Sequence, residues 1–108
     1  MLSRARGRYK SPFAMYENAQ CLRDAVEQLK SERQHLANAT RVLEAIICHC
    51  SEIARSVSAL RVREVATRFR DNAITVYATS KVNVSETQDL LEDTIAGLEQ
   101  ELKAKSGA

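Results

Sequence analysis

The chain has no tryptophan, one proline and three glycines in 108 residues, and aromatic side chains make up only 5% of it. Between Pro12 and Gly97 there is neither glycine nor proline. The tight turns and φ > 0 positions that a β-sandwich or barrel needs are therefore not supplied, and an all-α fold is expected. No apolar run reaches the ~18 residues required to cross a bilayer. Cysteine is scarce and odd in number, and Cys21, Cys48 and Cys50 do not describe a disulfide framework. A reducing intracellular compartment follows, cytoplasm or cytoskeleton first. The mitochondrion is the alternative, because the opening MLSRARGRYK is acid-free and arginine-bearing like a presequence, although Gly7 weakens it as an amphipathic helix.

Catalytic signatures are missing as well. There is no glycine-rich phosphate loop, no His-x-x-x-His and no Gly-x-Ser-x-Gly, so the chain is read as non-enzymatic and without a cofactor. The run Cys48, His49, Cys50 carries zinc-type ligands, but on a helix residues two apart point ~200° away from each other and cannot share one ion. Cys50 reads as a small buried apolar residue and Cys48 as a more exposed one. His35 and Cys21 fall on outward positions, and no metal site is expected.

What is present is a seven-residue stripe. Leu22, Leu29, Leu36 and Leu43 fall at heptad position d, with Met15 before them and Cys50 and Val57 after. The a positions are mixed: Ala19, Val26, Arg33, Thr40, Ile47 and Ala54. From Ala39 the g positions also turn apolar, with Ile46, Ile53 and Leu60, which widens the stripe enough to meet two or more helices. Arg33 and Thr40 interrupt the seam. A polar seam residue fixes register and partner number at a cost in stability, whereas a long arginine can instead carry its head out to water.

The spacing predicts a basic arm over 1–11 and a long heptad helix over 12–78, begun by the Ser11–Pro12 pair. A bend is expected near 58–62, where Val62, Val65, Phe69, Ala73 and Val76 follow a frame displaced by one residue. The β-branched stretch from Ile74 to Val84 lowers helix propensity and predicts a turn over 79–84. Ser85 with Gln88 then matches a capping box for an amphipathic helix over 85–104, whose seam is Leu91, Ile95, Leu98 and Leu102. Folded back as an antiparallel hairpin, this helix would carry Glu92, Asp93, Glu99 and Glu101 past Arg70, Arg68 and Arg63. The rival is a continuous rod approaching ~140 Å at 1.5 Å per residue.

A long coiled-coil helix with a folded-back C-terminal helix implies a structural or scaffolding subunit that binds other helical proteins through its seam. A hetero-complex is favoured over a homo-oligomer, because Glu32 at g would meet Ala37 at e in a parallel homodimer. The formal charge of +2 does not by itself name a polyanion partner, but the charge lies in blocks. Arg4, Arg6, Arg8 and Lys10 precede any acid, and four arginines against Glu64 fill Ser56 to Arg70. These carry the alternative of an adaptor for nucleic acid or an acidic polymer such as microtubules. An accessory subunit of a mitochondrial complex is a third reading.

Overall fold

A computed structural model describes the backbone of residues 12–79 and 82–107, with the side chains of 20–79 and 82–104. Four helices occupy them: α1 (Pro12–Ser31), α2 (Ala39–Ser56), α3 (Leu60–Ala78) and α4 (Val84–Gly107), with a 3-10 turn over Glu32–His35. The all-α expectation holds among the described residues. The long coiled-coil hairpin does not: the heptad stretch breaks twice and closes on itself as a four-helix bundle. The principal extents, 53 × 25 × 20 Å, leave no room for a rod.

The first break follows the polar run Ser31 to His35. Asn38 leaves helical geometry (φ −109, ψ 79) and its side chain accepts from the Arg41 backbone N–H at 3.2 Å, which caps α2. Its own N–H donates to the His35 carbonyl at 2.7 Å. The second break is at Val57, extended at φ −90, ψ 129, with Ala59 also extended, so α2 turns into α3 within three residues. A β-branched residue between Ser56 and Ser58 gives up helical geometry cheaply, and its side chain still points into the core. The α4 cap is Asn83 rather than the expected Ser85: the Asn83 side chain accepts from the Glu86 N–H at 3.0 Å.

Cross-helix contacts fix the directions. Tyr77 donates to Glu44 at 3.1 Å, placing α3 antiparallel to α2. Arg61 meets Glu101 at 3.1 Å, placing α4 antiparallel to α3. Lys30 meets Glu99 at 2.6 Å and Arg33 meets Glu92 at 2.9 Å, placing α1 antiparallel to α4. Sequential helices are neighbours, α1 packs on α4 to close the ring, and α2 and α4 touch across the short diagonal. The acids of α4 thus pair with α1, with the turn that follows it and with Arg61, not with Arg63, Arg68 or Arg70.

Leu22, Leu29, Leu43, Ile46, Ile53, Leu91 and Leu98 are all fully buried at the centre of this bundle. Each contributes about 1.5–3 kcal/mol by leaving water. Val62, Val65, Phe69, Ala73 and Val76 are the inward face of α3, and their displaced frame marks the change of direction at 57–59. Two buried polar residues on α4, Thr87 and Thr94, donate their hydroxyls to the carbonyls of Asn83 (2.8 Å) and Leu90 (2.7 Å). Neither hydroxyl is left without a partner in the apolar interior.

Candidate functional site: the outward face of α3

With the inward set of α3 fixed at Val62, Val65, Ala66, Phe69, Ala73 and Val76, helix geometry turns Leu60, Thr67 and Ile74 outward. Leu60 is 65% exposed and Ile74 45% exposed, and Tyr77 stands beside them. Leu60 and Ile74 lie two heptads apart on this face with half-buried Thr67 between them, so α3 carries exposed apolar residues outside the set that the bundle uses. A shallow cleft of about 650 Å³ opens along this face, with Ala54 of α2, Leu60, Arg63 and Thr67 in its lining.

The stripe is flanked by charge of opposite sign on its two sides. At ~100° per residue, Arg63 and Arg70 lie on the side toward α2, and Glu64 and Asp71 on the side toward α4, with Arg68 and Arg61 farther round behind the two acids. Arg70 holds Asp71 at 3.0 Å, and Arg68 lies over the Phe69 ring at 4.9 Å from its centroid. Arg63 makes no ion pair among the described residues. The Tyr77 phenol is held above its ordinary range by its hydrogen bond to Glu44, with the Glu44 charge and burial adding to the effect. It is a hydrogen-bond donor at neutral pH, not a base.

A second cleft, of about 420 Å³, lies between α1 and α2 and is lined by Cys21, Asp24, His49 and Glu52 among others. Burial raises the Cys21 thiol, and the charges of Glu52 and Asp24 raise it further, so the thiolate is suppressed. Burial holds His49 below its ordinary range, partly opposed by Glu32. Among the described residues, no group of three or more His, Cys, Asp or Glu side chains is arranged to hold a metal ion.

Most of the residues expected to bind a partner along the seam lie inside the bundle. Leu22, Val26, Leu29, Leu43, Ile46, Cys50, Ile53, Val57, Leu91, Ile95 and Leu98 are buried; Leu36, Ile47 and Leu102 are partly buried against the same core. Thr40 is exposed in the first turn of α2. Arg33 is exposed at the surface, where its Nε and Nη2 donate to both oxygens of Glu92 at 3.0 and 2.9 Å. Among the described apolar seam residues, Leu60 alone is strongly exposed. The Met15 side chain and Arg4, Arg6, Arg8 and Lys10 lie outside the described residues. Cys48 is exposed, whereas Cys50 is enclosed and its thiol is pushed up to about 12 by burial. No helix among the described residues is long and apolar enough to cross a membrane.

The outward stripe was not singled out from the sequence, though its signal is there. Leu60, Thr67 and Ile74 repeat every seven residues beside the inward series beginning at Val62. A comparison with known protein families, curated proteins and solved structures yields no match.

Proposed function

We propose that this protein is a non-catalytic helical association module, a structural or scaffolding component that docks other protein through the outward face of α3. The observation that carries the reading is the pair of exposed apolar residues on this face. The described core forms without them, yet Leu60 and Ile74 stand in water two heptads apart on one side of one helix. Exposed apolar groups scattered singly are ordinary, whereas a periodic row on one helix face is the usual footprint of a helical contact.

The test is to place a photo-crosslinking side chain at position 60 or 74, and separately at exposed Thr40, and to compare the adducts formed in the source cells. Adducts specific to 60 and 74, lost when the remaining apolar residue of the pair is replaced by aspartate, support the reading. Equal labelling at Thr40, or adducts indifferent to Leu60→Asp and Ile74→Asp in a folded protein, would remove it.

The adaptor reading for nucleic acid or an acidic polymer is favoured by a narrower observation. Of the four α3 arginines, Arg61 and Arg70 are engaged with Glu101 and Asp71, which leaves Arg63 and Arg68 without an ion pair among the described residues. Binding to DNA, RNA or microtubules that falls steeply with added salt would support it, and no binding at low salt would exclude it.

A further inference from the structure

The face just described carries its own complement, and we infer that its occupant is a second copy of this chain, with the two α3 helices side by side, parallel, about a two-fold axis. This rests on the association reading above and names its partner. Taking Thr67 as the centre of the stripe, Leu60 and Ile74 lie within ~20° of it, Arg63 and Arg70 ~40–60° to one side, and Glu64 and Asp71 ~40–60° to the other.

Two orientations bring a helix face against its own copy with two-fold symmetry. With the axis parallel to the helices, the basic flank of one copy meets the acidic flank of the other: Arg63 lies beside Glu64 of the second copy, and Arg70 beside its Asp71. Both contacts occur twice. With the axis perpendicular to the helices the pairing is antiparallel, and like flanks meet: Arg63 falls beside Arg70 and Glu64 beside Asp71. Opposite charges flanking an apolar stripe are what select orientation in paired helices, so the pattern admits the parallel arrangement and opposes the other.

The apolar layers agree. Leu60, Thr67 and Ile74 each meet their own equivalent in the parallel pair, and none has to leave the bundle core to do so. Arg63 has no intramolecular ion pair among the described residues to give up, whereas Arg70 would have to exchange its own Asp71 for that of the second copy, so the Arg63–Glu64 contact is the one that sets the orientation. Glu32 and Ala37, whose mismatch disfavours a parallel homodimer along the heptad seam, lie in the connection between α1 and α2 and not on α3. Two apolar layers make a small contact, so the dimer is weak and concentration-dependent.

The experiment is sedimentation equilibrium of the full chain under reducing conditions, over concentrations up to about 1 mM, where even an association of only ~4 kcal/mol becomes visible. Dimer is expected in the wild type and lost in the L60D/I74D variant. Arg63→Glu should weaken it about tenfold or more, since it places two acids together at two symmetric contacts, and adding Glu64→Arg should restore it. Under antiparallel pairing the same Arg63→Glu change would strengthen the dimer. Leu60→Cys in a C21S/C48S background should crosslink readily to itself, because in the parallel pair the two positions face each other. In the antiparallel pair they stand ~21 Å apart, fourteen residues at 1.5 Å.

All substituted positions are exposed or half-buried on the surface, and retained helicity shows that each variant folds. A monomer throughout, a dimer strengthened or unchanged by Arg63→Glu, or no restoration by Glu64→Arg overturns the inference. If crosslinking at positions 60 and 74 still captured other proteins, the association reading would stand without it.

Discussion

Gly97 sits in the interior of α4 where it faces the Phe69 ring of α3, and replacing it with alanine sets steric strain against helix propensity. A methyl group built there would lie 2.6 Å from Phe69 Cε2 and 2.9 Å from Cζ. Ordinary carbon contacts are about 3.5–4.0 Å, so ring and helix must part by roughly 1 Å. Phe69 is 6% exposed and belongs to the core cluster, and forcing such a displacement costs about 1–3 kcal/mol. Against this, alanine is better than glycine in a helix interior by about 1 kcal/mol. Strain outweighs propensity, and a net loss of about 1 kcal/mol is expected in urea unfolding, seen as a lower midpoint at constant slope. The decisive comparison is Phe69→Leu, which removes the two ring atoms that collide. In that background Gly97→Ala should stabilise, recovering the helix-propensity gain of about 1 kcal/mol. If Gly97→Ala were equally stabilising in both backgrounds, α3 and α4 would not approach here and the packing described would be wrong.

The two caps that interrupt the heptad stretch should each matter: Asn38→Ala and Asn83→Ala are expected to cost about 1 kcal/mol apiece in chemical denaturation. Thiol labelling of the native protein should find Cys48 fast, Cys21 slower, and Cys50 silent until the bundle unfolds, since Cys50 is enclosed and its thiolate strongly disfavoured. His49 should make the fold acid-sensitive. Its folded pKa lies below the unfolded value near 6.5, so the unfolded chain binds the proton more readily, and stability present above ~6.5 declines as pH falls below it. Thermal unfolding between pH 7.5 and 5.5 should show this decline, and His49→Gln should flatten it.

How much of this architecture was legible is best seen in Leu22, Leu29 and Leu43. Their spacing marked them correctly as apolar contacts between helices, and they are buried. What spacing does not encode is whose helix completes the contact, because a d-position leucine looks the same facing a second chain or the next helix of its own. That question was decided at Asn38 and Val57, two ordinary residues in a stretch without glycine or proline. Asn38 ahead of an apolar run carries a readable capping signal, whereas the weak local preference at Val57 becomes a break once packing of α3 against α2 offsets the lost helical hydrogen bonds. The charge blocks were legible as partners for one another, but their matching required knowing that α1 also lies beside α4; hence Glu92 and Glu99 went to Arg33 and Lys30. The α3 stripe escaped notice because a single-frame reading assigns each helix one face, and this helix has two.

Because α1 runs antiparallel to α4, Pro12 and Gly107 emerge from the same end of the bundle. A pull applied between those ends would peel α1 from α4 one turn at a time, rather than shear all their contacts at once. Opening from that end breaks few contacts at a time, whereas sliding α1 along α4 would load the Lys30–Glu99 and Arg33–Glu92 pairs together.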